Sequence, residues 1–117
     1  MAGYLTTHVL DTARGSPAAG LEIELYRMVD NEPKFLTKAI TNDDGRTDNK
    51  ILSSGEFEIG EYELLFYCGD YIKRHNQTFK GVQFLNIVPI RFGMSENVHY
   101  HVPLLLSPFG YSTYRGS

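Results

Sequence analysis

The residues best able to do chemistry stand near the two ends of the chain. "LTTHVLD", residues 5–11, carries His8, and "HYHVPLLLSPFGYSTYRGS", residues 99–117, carries His99, His101, Arg115 and three tyrosines. An imidazole ionises at about pH 6.5, so it can take a proton from water under ordinary conditions. His99 and His101 are two apart; in an extended segment they share a face while Tyr100 takes the opposite one. Such a pair can ligate a metal, but closed or catalytic zinc sites use about three or four protein ligands, and no Asp, Glu or Cys cluster accompanies this pair. No metal and no cofactor is expected. Arg46 follows the turn signal "NDDG" at 42–45 and offers a planar guanidinium that stays charged and can grip two acceptors at once. Read singly, His8 fits a half-exposed strand residue and Arg46 a solvated surface charge. Their chemistry depends on whether the fold brings them to His101.

The elements that must do this are strands. "LEIELYRM", residues 21–28, sets Leu21, Ile23 and Leu25 against Glu22, Glu24 and Tyr26, the alternation of a strand with one wet face. "YLTTHVL" at 4–10, "KFLTKAIT" at 34–41, "EYELLFYC" at 61–68, "FLNIVPIRF" at 84–92, "VHYHVPLLL" at 98–106 and "GYSTYR" at 110–115 complete the set. Pro89 cannot donate to a ladder, which places its strand near an edge or bulge. Cys68 reads as a small buried strand residue. One short helix is expected over "GDYIKRHNQTF", residues 69–79, with Asp70 at its N-cap. Seven to eight short strands with frequent turn signals and a single helix predict an all-β fold, an antiparallel β-sandwich.

Composition bounds the function. The 117 residues suit one domain spanning 1–117, and 42% apolar with 21% charged residues is ordinary for a globular chain. The formal charge is −3 and the eleven Lys and Arg are scattered, so neither nucleic acid nor an anionic membrane is an expected partner. A lone cysteine cannot close an intrachain disulfide, which fits a reducing compartment. "MAGYLTTHVLD" lacks the charged start and long apolar middle of a signal peptide, and Arg-Gly-Ser is not a peroxisomal address, so a cytoplasmic chain is expected. The aromatic tail departs from the usual frayed, polar terminus. Phe109, Tyr111 and Tyr114 must cover the sandwich itself or bury against a neighbouring subunit.

"YRGS" at the end, "HVPLLLSPFGYST" before it, "LTTHVLD" near the start and "DGR" in the middle resemble the 5-hydroxyisourate hydrolases, the transthyretin-like enzymes of urate degradation. The similarity runs essentially end to end. The terminal tetrapeptide is its most specific part, since transthyretins proper share the fold but not that ending. The resemblance implies a transthyretin-like sandwich assembled as a homotetramer, a dimer of dimers, with active sites in the channel between facing dimers. It carries catalytic roles onto His8, Arg46 and His101, and substrate binding onto Tyr114, Arg115, Gly116 and Ser117. The implied reaction opens the cyclic amide of 5-hydroxyisourate with water to give 2-oxo-4-hydroxy-4-carboxy-5-ureidoimidazoline. His8, His101 or the two together would act as base, and Arg46 would bind the ring and meet the growing oxyanion. Gly116 would admit a close backbone approach, and Ser117 would add a hydroxyl and the chain's own carboxylate. The rival is a noncatalytic transthyretin-type carrier, whose channel for an apolar ligand would not favour so polar a set.

Overall fold

The computed structural model describes residues 2–76, 78 and 80–116. Among them are ten strands and one helix: β1 (Tyr4–Thr6), β2 (Val9–Asp11), β3 (Ser16–Pro17), β4 (Glu22–Val29), β5 (Glu32–Ile40), β6 (Gly60–Tyr67), α1 (Cys68–His75), β7 (Ile87–Met94), β8 (His99–His101), β9 (Leu104–Ser107) and β10 (Gly110–Thr113). One sheet runs β5-β4-β6-β7, antiparallel throughout; a second runs β10-β9-β2-β3, and β1 pairs with β8 in a two-stranded sheet. The count exceeds the expected seven to eight because the run at 4–10 breaks at Thr7 and His8, the run at 98–106 breaks at Val102 and Pro103, and Ser16–Pro17, outside the expected runs, adds the short β3 against β2.

The alternation in β4 turns Ile23 and Leu25 inward, where with Leu64, Phe66 and Val88 they meet Leu5, Val9, Tyr100, Leu104 and Leu106 of the opposite layer in one core. The β4–β5 hairpin turns on Asp30 and Asn31, both at positive φ (54° and 66°), the twist that suits a two-residue connection. Pro89 lies in β7, which forms an edge of its sheet as its missing N–H requires.

The helix begins one residue earlier than expected and ends at His75, with Asn76 as its C-cap, short of the expected end at residue 79; residues 77 and 79 of the expected span lie outside the described residues. Asp70 is not its N-cap. Tyr67 holds that position with no side-chain cap, and Asp70 sits in the first turn, where a carboxylate favours the helix dipole. Cys68 therefore opens the helix rather than closing a strand; it is fully buried, and burial pushes its thiol up to about 12, which leaves it inert. The helix docks through Tyr71, whose hydroxyl donates to the buried Asp11 carboxylate at 2.8 Å.

Two features carry the ends of the chain to one place. The N-terminal strands run parallel to the C-terminal ones, Tyr4 opposite His99 and Thr6 opposite His101 in β1–β8, then Val9 opposite Leu104 in β2–β9. Across the break, the Val102 N–H donates to Thr6 O at 3.0 Å and the Leu104 N–H to His8 O at 2.9 Å. The "NDDG" turn is the second feature: the Gly45 N–H donates to Asn42 O at 2.9 Å, and Asn42 Oδ1 accepts the N–H groups of Asp44 and Arg46. Gly45 has φ +72°, and a Cβ there would collide with the Val9 carbonyl oxygen. Gly45→Ala is therefore expected to cost about 2–4 kcal/mol, from left-handed strain plus a backbone clash, and to lower Tm by roughly 10 °C or more. A thermal melt by circular dichroism checks this; a shift under about 2 °C would show that the turn relaxes freely.

Candidate active site

His8 stands in the break between β1 and β2. It faces Arg46 across an isolated antiparallel bridge, held by the Val9 N–H donating to Gly45 O at 2.8 Å. His8 Nδ1 and His101 Nε2 are 2.7 Å apart and share one proton, with ring centroids 4.8 Å apart. His101 Nδ1 lies 2.7 Å from Thr6 Oγ1, and the same hydroxyl lies 2.7 Å from His99 Nε2. Both nitrogens of His101 are thus engaged, and among the described residues His8 Nε2 is left open. Tyr100 takes the other face as the period-two rule requires: it is 3% exposed, and its hydroxyl accepts the N–H groups of Ser95 and Glu96 at 3.0 Å each.

The electrostatics favour neutral imidazoles. Burial first, then repulsion between an imidazolium here and any positive charge on His8, Arg46 or His99, pushes His101 down to about 4. Burial, then Arg46, lower His8 as well. Removing water from around the ring penalises the imidazolium, and the adjacent guanidinium adds repulsion. The pair accordingly keeps a lone pair available below the pH at which free imidazole protonates. Arg46 is exposed and has no carboxylate partner among the described residues, so its charge is open to a ligand. A depression of about 190 Å³ is lined by Thr6, Thr7, Arg46, Asp48, Asn49 and Lys50.

The tail reaches the same place. Gly116 bridges to His101, its N–H donating to His101 O at 2.6 Å, and a Cβ on Gly116 would stand 2.9 Å from His101 Cδ2. The Arg115 guanidinium lies 4.3 Å from the centroid of Tyr100, a cation–π contact that holds the segment down. Tyr114 is exposed, and Ser117 lies outside the described residues. His8, Arg46, His101 and Gly116 are therefore brought together, with Arg115 at one remove. His75 is elsewhere: it packs on Tyr71, with its Nδ1 2.7 Å from Arg14 Nη1. Phe109 and Tyr111 are 75% and 45% exposed, so this chain leaves much of both rings uncovered.

Residues 5–116 match the model of the HIUase/Transthyretin family. The chain belongs to that family. Within the HIUase/Transthyretin family it is similar to the 5-hydroxyisourate hydrolase of Mesorhizobium japonicum, 58% identical over 98% of this chain and 93% of that protein. The solved 5-hydroxyisourate hydrolase of Klebsiella pneumoniae superposes with a TM-score of 0.81 at 33% identity, covering each chain fully. A solved (S)-allantoin synthase superposes with a TM-score of 0.88 at 44% identity over 98% of this chain; the chain spans 44% of that longer one.

Thr6 and His99 were not singled out for function by sequence reasoning. A signal existed for Thr6, which lies two residues before His8 and so shares its face. For His99 it was the same spacing from His101, set aside because two histidines do not make a metal site.

Proposed function

We propose that this chain is a 5-hydroxyisourate hydrolase that opens the cyclic amide of its substrate with water and yields 2-oxo-4-hydroxy-4-carboxy-5-ureidoimidazoline. The observation that carries the reading is the His8–His101 pair at 2.7 Å, whose proton affinity is lowered, beside an arginine with no carboxylate partner among the described residues. Water attacks poorly unless a base takes its proton as the new C–O bond forms. His8 Nε2 is the base, because it is the open nitrogen of the pair, and His101 orients it through the shared proton. Arg46 grips the oxygen-rich edge of the ring and meets the negative charge that grows on the attacked carbonyl oxygen. The 114–117 segment walls the site, with Gly116 fixing the backbone against His101 and Ser117 offering its hydroxyl to the ligand. Names of relatives at 58% identity support the substrate. The homotetramer, a dimer of dimers, accounts for the exposed Phe109 and Tyr111 as rings that bury against another copy. No described helix is long and apolar enough to cross a membrane, and the cytoplasmic assignment rests on the sequence.

The test is the decay of freshly generated 5-hydroxyisourate, followed by ultraviolet absorbance with and without the protein across pH. The expected result is acceleration over the spontaneous decay, with an acid limb of kcat/KM that lies below the ordinary imidazole value of about 6.5, because the lowered proton affinity of His8 and His101 keeps the base form populated at lower pH. No acceleration would overturn the reading and leave the carrier. An acid limb centred at the ordinary imidazole value of about 6.5 would overturn the held-neutral pair.

A further inference from the structure

The hydrogen bonds at His101 continue beyond the pair. His8 Nδ1, His101 Nε2, His101 Nδ1, Thr6 Oγ1 and His99 Nε2 form an unbroken chain of three bonds, each 2.7 Å. His99 ends it, partly exposed and stacked on Tyr4 with ring centroids 4.1 Å apart and planes 11° apart. We propose that Thr6 and His99 are relay residues, through which the proton taken from water at His8 Nε2 is passed on and released to solvent at His99 Nδ1. The inference rests on the hydrolase reading and adds two residues to it.

Proton counting carries it. With all three imidazoles neutral, the three rings and the hydroxyl own four protons. The three hydrogen bonds hold one each, since a hydroxyl has one proton and a neutral imidazole one. The fourth must sit at one end, on His8 Nε2 or on His99 Nδ1, so the chain has two directions. In the first, His99 Nδ1 is protonated, the Thr6 hydroxyl donates to His99, His101 donates to Thr6, His8 donates to His101, and His8 Nε2 is bare. In the second, every bond is reversed and His99 Nδ1 is bare.

The first direction is ready for attack. As water oxygen bonds to the carbonyl carbon and the carbonyl electron pair moves onto oxygen, the water proton goes to His8 Nε2. Each bridging proton shifts across its bond and His99 Nδ1 gives its proton to solvent. When the ring C–N bond breaks, the leaving nitrogen takes the proton from His8 Nε2, the bonds shift back, and His99 Nδ1 takes one from solvent. Water has supplied OH to carbon and H to nitrogen, and the chain is back where it began.

The device answers a conflict within the site. Arg46 serves an oxyanion, yet beside His8 it opposes any positive charge that the base would acquire. A base that hands its proton on never has to hold an imidazolium against the guanidinium. Among the described residues, the charged and titratable groups around the chain include Arg46 next to His8, Tyr4 against His99, Lys50, whose ammonium lies 4.2 Å from the Tyr4 ring centroid, and Asp48, which lines the depression with Thr6 and Arg46. None interrupts the three bonds.

Full-length wild type, Thr6→Val, Thr6→Ser, His99→Phe, His99→Gln and the Thr6→Val/His99→Phe pair are compared for kcat and KM on 5-hydroxyisourate. Valine keeps the β-branched shape without the hydroxyl, phenylalanine keeps the stack on Tyr4, and glutamine keeps a partner for Thr6 but cannot exchange ring protons. Thr6→Val and both His99 variants are expected to lose about 10- to 100-fold in kcat with KM within about twofold, and Thr6→Ser to recover most of the loss. The double variant should be no slower than Thr6→Val alone, since one break is enough. Wild-type kcat in either His99 variant, or additive losses in the double, would overturn the relay while leaving the hydrolase standing. An inactive wild type would overturn both.

Discussion

His101→Ala is expected to lose about 10²–10⁴-fold in kcat/KM on 5-hydroxyisourate, roughly 3–5 kcal/mol of barrier. The ring does three things at once that alanine cannot. Its Nε2 shares a proton with His8 Nδ1 at 2.7 Å, which fixes the tautomer and plane of the proposed base. Its Nδ1 meets Thr6 Oγ1 at 2.7 Å, which fixes its own. Its carbon edge closes against Gly116. Stability should change far less, because the ring is only half buried at the rim and the inward residues of this stretch are Tyr100 and Val102. His8→Ala should fall in the same range, and the double variant should be little worse than either single one, since residues acting as a unit are not additive. The ultraviolet decay assay with melts of each variant checks this. A loss under about tenfold with intact folding would mean that His101 is merely a neighbour.

Removal of residues 114–117 should abolish turnover and leave folding largely intact. The described part of this segment contributes nothing to the core: Tyr114 and Arg115 are exposed, and its ties are the Gly116 N–H to His101 O and the Arg115 guanidinium over Tyr100. Losing one surface cation–π contact and one peripheral hydrogen bond costs about 1–2 kcal/mol, which a domain of this size survives. Activity is different, because the cut removes the wall against His101 together with the Ser117 hydroxyl proposed to meet the substrate. Gly116→Ala isolates the contact without shortening the chain. Its Cβ would stand 2.9 Å from His101 Cδ2, so either the ring or the segment must move, and a 1 Å displacement of a catalytic group can cost about 10²-fold. A truncated protein with wild-type turnover would sink the role of the tail.

What the sequence by itself determined are the properties that backbone geometry imposes within a few residues. Side chains alternate along a strand whatever lies beyond it, so the inward set Leu21, Ile23 and Leu25 and the common side of His99 and His101 were legible, as was the turn at 42–45, where Gly45 supplies the positive φ. Where local rules compete, as at Cys68 and Asp70, sequence and structure differ by one residue at the strand end and by three at the N-cap, because the strand signal runs on into the first helical turn. The family likeness picked out His8, Arg46 and His101, but as a set of names without a geometry. Only the tertiary structure decided which strand lies beside which. Pairing is chosen by the burial of whole faces, and here it sets β1 parallel to β8 across more than ninety positions of sequence, Tyr4 against His99 and Thr6 against His101. No periodicity in either segment contains that choice. It is the choice that puts one threonine hydroxyl between two histidines and turns separate imidazoles into a connected site.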